Sequence, residues 1–410
     1  MQRFKTFSAL LLALLLCGCA ALQDDRPHPP GMESPLLDGN KVTLLFDGPQ
    51  TMAAMEAAIL GAKNSIHLET YIFDQDPIGL RFAELLMQRQ RAGVKTRIIY
   101  DSVGTLGTPD AFFERLRASG IELLAFNPVN PLKLRGPWQP NNRDHRKLLV
   151  VDGSTGFTGG VNISASYSNS SLFHRRKKEG RELGWRDTHL QIQGPAVAAL
   201  QTVFLHTWNA HAATPVGGAA LFPPLPEAGT RSVRVLASEP DGQQEIYTAY
   251  LQAIRSAKSR IYLTCAYFVP DEAMLGALLD AARRGVDVKV VLPGVEEGGM
   301  VFYAGHSFFE QMLAGGLRIY QMREAVLHAK TAVIDGRWST VGSTNMDTRS
   351  FLHNSEINVI VVDDSFGTAM EAAFAEDLRD SQEVLLPLWL QRPLSERLKE
   401  WAARQFDYWL

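Results

Sequence analysis

Cysteine is nearly absent from this sequence: Cys17, Cys19 and Cys265 are the only ones in 410 residues. Charge of one sign is lacking too, since 41 Lys and Arg stand against 44 Asp and Glu for a formal net charge of −3. That balance excludes the whole-molecule basic field that draws a protein to nucleic acid, so any anion site must be local. No run is long and apolar enough to span a bilayer, because the stretch from Ala9 to Leu16 falls far short of the ~20 residues a crossing helix needs. What is present is bulk: with 46% hydrophobic residues, the chain is long enough for two globular domains, each burying its own core.

The first residues bear on the compartment. Arg3 and Lys5 precede the apolar run Ala9–Leu16, which has the shape of a secretory leader. It continues as Leu16-Cys17-Gly18-Cys19-Ala20, which resembles the lipobox of bacterial lipoproteins. The resemblance implies that residues 1–18 are a signal peptide, that Cys19 carries lipid, and that 19–41 form a tether, extended by Pro27, Pro29 and Pro30. Cys17 would leave with the leader and Cys265 would remain as the single thiol, so no intramolecular disulfide is expected despite an oxidising exterior. A diacyl anchor supplies stable membrane attachment. Ala20 in place of Asp after the cysteine implies, by the same resemblance, the outer membrane of a two-membrane bacterium, facing the periplasm.

The chain is written twice. "AKNSIHLETYIFDQDPIGLRFAELLMQRQRAGVKTRIIY" from Ala62 corresponds to "AKSRIYLTCAYFVPDEAMLGALLDAARRGVDVKVVL" from Ala257. In each copy a β-rich run (Ile66 to Phe73; Ile261 to Val269) gives way to an apolar helical stripe. Ile78, Phe82, Leu85 and Leu86 form it in the first copy, and Met274, Leu275, Leu278 and Leu279 in the second. Gly93 and Gly285 then suit a left-handed helix cap before a second strand. Strand, helix, parallel strand predicts an α/β architecture with right-handed crossovers. Between the copies, "AATPVGGAALFPPLPEAGT", residues 212–230, reads as a linker. The expected domains are therefore 42–211, 231–390 and a C-terminal amphipathic helix within 391–410.

A second repeat carries the chemistry. "NNRDHRKLLVVDGSTGFTGGVNIS" from Asn141 has its copy in "LHAKTAVIDGRWSTVGSTNMD" from Leu327. His145 pairs with His328, Lys147 with Lys330, Asp152 with Asp335 and Asn162 with Asn345, always 183 positions apart. On a strand, residues two apart share a face, so His145 and Lys147 point together while Arg146 points away. Two such halves facing one point supply paired histidines, lysines and asparagines. That set suits a phosphodiester: one histidine attacks phosphorus, the other protonates the leaving oxygen, and Lys and Asn hold the nonbridging oxygens. Neither metal nor cofactor is called for, because the lysines carry the electrostatic load. A zinc site is a poor fit, since Lys is a weak ligand and no Cys or carboxylate set accompanies the histidines.

The pattern H-x-K-x4-D-x6-G-G/S-x-N, present twice, resembles the phospholipase D superfamily. "WRDTHLQIQGPAV" from Trp185, "YFVPD" from Tyr267 and "GSTNMDTRSFLHNSEINVIV" from Gly342 resemble its bacterial cardiolipin synthase branch, from about Val42 to the end. The resemblance implies two similar α/β/α lobes, mixed sheets flanked by helices, about a pseudo-twofold axis. It implies a phosphohistidine on the way to product, with His145 as nucleophile by family habit. It makes Asp187 and Glu356 acceptors for the far nitrogen of a catalytic histidine. Asp152 and Asp335 belong to the catalytic signature, but five residues on, roughly 16 Å along an extended strand, a structural role is expected of them.

The implied reaction moves a phosphatidyl group from phosphatidylglycerol, or phosphatidylethanolamine, to a phosphatidylglycerol hydroxyl. "PGVEEGG" at Pro293 departs from the basic and acidic phrase usual after that strand, which leaves the acceptor open. A membrane-anchored phospholipase D or nuclease is the hydrolytic alternative, and a lipid-binding scaffold the non-enzymatic one. "HRRKKEGR", residues 174–181, reads equally as a headgroup-facing patch or a solvated loop. His67, His189 and His353 read as structural or rim residues, and residues 348–354 as a rim of the pocket. Leu394, Leu398, Trp401 and Ala402 make an apolar stripe before Tyr408 and Trp409; a membrane-interface composition, it is read as packing on its own domain. Oligomeric state is not addressed by the sequence.

Overall fold

The computed structural model describes residues 32–130, 139, 141–167, 183–240, 242–295 and 299–407. The leader, Cys19, the basic run 174–181, residues 296–298 of the departing loop, Tyr408 and Trp409 lie outside the described residues.

The first half contributes strands β1 (Leu37–Leu45), β2 (Ser65–Thr70), β3 (Lys95–Asp101), β4 (Glu122–Phe126), β5 (Leu148–Val151), β6 (Thr155–Gly159) and β7 (His189–Gln193). The second contributes β8 (Arg231–Ser238), β9 (Arg260–Cys265), β10 (Asp287–Pro293), β11 (Arg318–Met322), β12 (Lys330–Ile334), β13 (Trp338–Gly342) and β14 (Asn354–Val362). Pairing runs β1-β7-β6-β5-β2-β3-β4 in the first sheet. It runs β8-β14-β13-β12-β9-β10-β11 in the second. The order is the same in both, with the β2-β3-β4 and β9-β10-β11 segments parallel and the rest antiparallel. These are the mixed sheets, flanked by helices, that the repeat predicts.

The crossover helices follow local chemistry. Asp76 caps α1 (Pro77–Arg91) by accepting from the Gly79 N–H at 2.9 Å, and Pro77 sits where a missing N–H costs nothing. Gly93 ends it at φ +94°, with the Val94 N–H reaching back to the Arg89 carbonyl at 3.1 Å. Asp271 caps α2 (Glu272–Arg283) in the same way, and Gly285 closes it at φ +88°. Phe82, Leu85 and Leu86 of α1, and Met274, Leu275 and Leu278 of α2, are buried as their spacing predicts.

Each half has its own core, and a third cluster joins them. Leu190, Ile192 and Phe204 of the first half pack with Val235, Val359 and Phe366 of the second. Residues 31–410 form one compact unit, within which each half keeps its own core and the third cluster lies between them. Strand β1 begins at Leu37, inside the stretch read as tether, because Leu37–Asn40 pair with β8 while Lys41–Leu45 pair with β7. The linker is also packed down, with the Ala228 N–H bonded to the Gly39 carbonyl at 2.8 Å.

The C-terminal helix Leu394–Arg404 corrects another expectation. Glu400 and Ala403 are its buried residues, and Leu394, Leu398 and Trp401 face solvent. A small residue and a buried Glu400–Arg392 ion pair at 2.7 Å let the opposite face pack instead.

Candidate active site

His145 and Lys147 sit on the approach to β5, and His328 on the approach to β12, which opens with Lys330. Each approach is steered by the other lobe. Arg143–Asp144 pair in parallel with Asn354–Ser355, and the His145 N–H donates to the Ser355 carbonyl at 2.9 Å. Val326–Leu327 pair in parallel with Trp185–Arg186, and the His328 N–H donates to the Arg186 carbonyl at 2.8 Å.

The side chains cross in the same sense. His145 Nδ1 lies 2.9 Å from Glu356 Oε1, and His328 Nδ1 lies 2.7 Å from Asp187 Oδ2. The carboxylates occupy matching positions in the two halves, yet each serves the histidine of the opposite half. Side-chain exposure is 12% for His145 and 11% for His328, so each ring is held within the protein but keeps an accessible edge.

Burial sets the protonation states. It pushes His145 well below the ordinary imidazole range, helped by the positive charges of Lys147, Lys330 and Arg349. It takes His328 down to about 3, with Lys330 adding to the shift and Asp187 opposing it. Both rings are therefore neutral at neutral pH, with Nδ1–H directed at a carboxylate and the Nε2 lone pair left over. The two carboxylates differ. Burial raises Glu356 to about 7 against Lys147 and its bonds from Ser343 and Asn354. Burial alone would raise Asp187 as well, but His328, Lys330 and the Thr188 N–H outweigh it and hold the group below its usual range.

The lysines are buried beside the rings. Lys147 Nζ donates to the His145 carbonyl at 2.6 Å, and Lys330 Nζ lies 3.1 Å from His328 Nδ1. Burial lowers Lys147 to about 7 and Lys330 to about 8, in each case against Glu356 and Asp187. Lys330 bears on His145 and Lys147 on His328, so one electrostatic cluster spans both halves.

The differing G-G and G-S phrases follow from the carboxylates. A Cβ on Gly160 would come within 2.0 Å of Asp187 Oδ1, whereas Ser343 at the matching place donates its hydroxyl to Glu356 Oε2. The asparagines diverge. Asn162 accepts from the Ile72 N–H at 3.1 Å and donates to the Tyr167 hydroxyl at 2.9 Å, so part of its capacity is spent within the protein. Asn345 keeps a buried Oδ1 with no partner among the described residues.

Asp152 and Asp335 are remote from the rings. The Asp152 carboxylate accepts the N–H groups of Lys63, Asn64 and Ser65, and Asp335 those of Lys258, Ser259 and Arg260. Both adopt positive φ, +52° and +53°, ahead of a glycine also at positive φ. An Asp-Gly pair is the usual way to turn such a hairpin, because both central residues need that conformation. They clamp the β5-β6 and β12-β13 turns to the start of β2 and β9, which is the structural role expected of them within the signature.

Residues that the repeat did not expose complete the surroundings. Tyr167 has no counterpart at matched spacing, yet its hydroxyl lies 3.3 Å from His328 Nδ1 and its ring centroid 4.9 Å from that of Trp185. Tyr71 meets His145 edge-on at 5.0 Å and carries Lys147 Nζ over its face at 5.2 Å. Arg146, turned away from the site as the alternation predicts, is fully buried. It bonds Thr207 of its own half at 2.7 Å and the Ser238 carbonyl of the other at 2.8 Å. Arg349, in the stretch read as a rim, binds Asn141 Oδ1 at 2.9 Å. His67 and His189 are buried structural histidines; His67 stacks on Phe204 at 4.6 Å. A cavity of about 940 Å³ beside Phe113, Phe126 and Trp208 touches neither imidazole. Among the described residues, no group of His, Cys, Asp or Glu is placed to hold a metal ion.

Two halves of one α/β fold, each delivering a His-x-Lys motif to a shared buried cluster, define an enzyme of the phospholipase D superfamily. The profile of the family "Cardiolipin synthase, PLD-like domain" matches residues 55–172 and 250–378. The chain is 36% identical over 378 residues to a cardiolipin synthase of Geobacillus kaustophilus, covering 91% of this chain and 73% of that one. It is 36% identical over 372 residues to a cardiolipin synthase of Listeria monocytogenes, covering 90% and 75%. The chain belongs to this cardiolipin synthase family of phospholipase D-like proteins. Among solved structures, a phosphatidylserine synthase from Haemophilus influenzae shares the fold, with a TM-score of 0.64 at 12% identity over 90% of this chain and 95% of that one.

Proposed function

We propose that this chain joins two molecules of phosphatidylglycerol into cardiolipin, releasing glycerol, by way of a phosphohistidine on His145. The observation that carries this reading is the crossed pair of histidine–carboxylate bonds, which occupies Nδ1 of each ring and leaves Nε2 of each for the substrate. In the first step Nε2 of His145 bonds to phosphorus and the bond from phosphorus to the glycerol oxygen breaks; His328, having taken a proton on Nε2 as the anionic phosphodiester enters, gives that proton to the oxygen. In the second, a hydroxyl of another phosphatidylglycerol passes its proton to His328 as its oxygen displaces His145 from phosphorus. Lys147, Lys330, Asn162 and Asn345 hold the nonbridging oxygens as charge builds.

The division of labour follows from the carboxylates. Asp187 is held ionised and so favours a proton on its partner, which suits His328 to acid and base work. Glu356, raised to about 7, asks less for an imidazolium and leaves His145 as the neutral nucleophile. The entering phosphodiester raises the affinity of His328 for a proton by adding a negative charge beside it.

Transfer prevails over hydrolysis when an acceptor hydroxyl is held in place, since effective molarities on the order of 10⁵ M or more outcompete bulk water. Similarity to cardiolipin synthases supports cardiolipin as product, and hence phosphatidylglycerol as acceptor, with phosphatidylglycerol or phosphatidylethanolamine as donor. Lipid anchoring through Cys19 in the bacterial envelope, facing the periplasm, belongs to the same proposal. Labelled phosphatidylglycerol tests it. Glycerol release matched by cardiolipin is expected, and phosphatidic acid as the main product would make the enzyme a hydrolase.

A further inference from the structure

We infer that the C-terminal helix Leu394–Arg404 docks the enzyme on an anionic phospholipid bilayer. Leu394, Leu398 and Trp401 follow the spacing of one helical stripe and are 69%, 57% and 65% exposed. The turn Leu386–Trp389 just before it adds Leu385, Leu388 and Leu390, each at least 49% exposed. Isolated exposed leucines are ordinary, but a contiguous helical stripe of Leu and Trp marks a surface that meets something apolar.

The helix is fixed in this attitude. Its opposite face packs on the helix Met300–His306 through Ala403 and through Glu400, which is held by Arg392 at 2.7 Å. The apolar stripe therefore points outward because the other side is already committed. Arg397 and Arg404 lie together on one edge of the stripe by the same 3.6-residue period, and both are exposed. Leu and Trp flanked by Arg suit the boundary between acyl chains and anionic headgroups, where apolar burial and phosphate attraction add. No helix among the described residues is long and apolar enough to cross a membrane. The choice of a bilayer as occupant rests on the phospholipid substrate proposed above.

The position of the helix connects docking to chemistry. The helix Met300–His306, on which it lies, packs in turn against the strand Phe268–Val269, with Gly305 so close that a Cβ there would stand 2.9 Å from the Phe268 carbonyl oxygen. That strand pairs with Met346–Asp347, the residues directly after Asn345. One helix, roughly 10 Å across, thus separates the proposed membrane face from a strand pair bordering the site.

The test uses the full chain carrying Cys19→Ala, so that no acyl group contributes, with vesicles of phosphatidylglycerol in phosphatidylcholine and vesicles of phosphatidylcholine alone. Leu394→Ser/Leu398→Ser/Trp401→Ser is expected to weaken partitioning by about a hundredfold or more, each side chain contributing on the order of tenfold. Arg397→Glu/Arg404→Glu is expected to abolish the preference for phosphatidylglycerol vesicles while keeping the weaker binding to phosphatidylcholine. Cardiolipin formation from detergent-dispersed phosphatidylglycerol should survive the triple substitution, and vesicle binding should survive His145→Ala, which separates failure of docking from failure of the catalytic reading. Unchanged partitioning of the triple variant overturns the inference. So does a parent dimer that this variant converts to monomer without loss of vesicle binding, since the stripe would then be a surface between copies of the chain.

Discussion

His145 and Glu356 stand 2.9 Å apart, Nδ1 to Oε1, although 211 positions separate them and they belong to different halves of the repeat. Its mirror, His328 with Asp187 at 2.7 Å, runs the other way across the same boundary. Neither half can orient its own histidine. The two halves therefore depend on each other for the placement of both histidines, even though each builds a sheet of the same order.

Loss of an imidazole should remove activity, and loss of its carboxylate should cost nearly as much. We expect Glu356→Gln and Asp187→Asn each to lower kcat by about 10²–10⁴-fold, by analogy with the orienting acid of a hydrolase triad. Circular dichroism should remain that of the folded chain. Mass spectrometry of the trapped intermediate is expected to find phosphorus on His145; finding it on His328 would reverse the assignment.

Gly160 and Ser343 should respond in opposite ways to exchange. Gly160→Ser would thrust a side chain into the Asp187 carboxylate, whose Oδ1 would lie 2.0 Å from the new Cβ, and turnover should collapse. Ser343→Gly introduces no clash; it removes the bond to Glu356 and leaves the Ile357 N–H, which donates to the Ser343 hydroxyl at 3.0 Å, without that acceptor, a loss of about 1–3 kcal/mol at a buried charged acceptor. Parallel measurements of kcat and thermal melting for the two variants check the contrast.

Phosphate should bind less well in alkali. Lys147 and Lys330 hold an anion only when protonated, and burial brings their pKa values down from 10.5 to about 7 and about 8. Inhibition by inorganic phosphate is thus expected to be strongest below about 7 and to weaken as the pH rises through about 8. Lys147→Arg should abolish the lower of these transitions, since a guanidinium does not titrate there. A pH-independent inhibition constant for the parent would refute the assignment of these lysines to the phosphate.

Asp152 and Asp335 should behave as turn clamps. Replacing either by Ala strands backbone N–H groups at the edge of a strand, and a loss of roughly 1–3 kcal/mol in stability is expected. The kcat of the folded fraction should stay within a few-fold of the parent. Burial works against the ionised Asp335, but the N–H groups of Arg260, Lys258 and Ser259 win and hold it below 3.8. Its stabilising contribution is thus present above that value and fades as the pH falls below it. Urea melts of Asp335→Ala and the parent should therefore converge in acid.

Much of this enzyme could be read from the chain alone, because the informative features were local or repeated at a constant offset. The His-x-Lys pairs, the helices closed by Gly93 and Gly285, and the strand–helix–strand order depend on neighbours a few residues away, and the structure places them as expected. What tertiary structure alone decided is who meets whom. That Glu356 serves His145 rather than His328, that Tyr167 reaches His328, and that Arg146 joins the lobes are contacts over 92 to 211 positions, on which no periodicity bears. The outward stripe of the last helix has the same origin. A 3.6-residue period reports that an apolar face exists, but Glu400 with Arg392, and the small Ala403, decided which face would be buried.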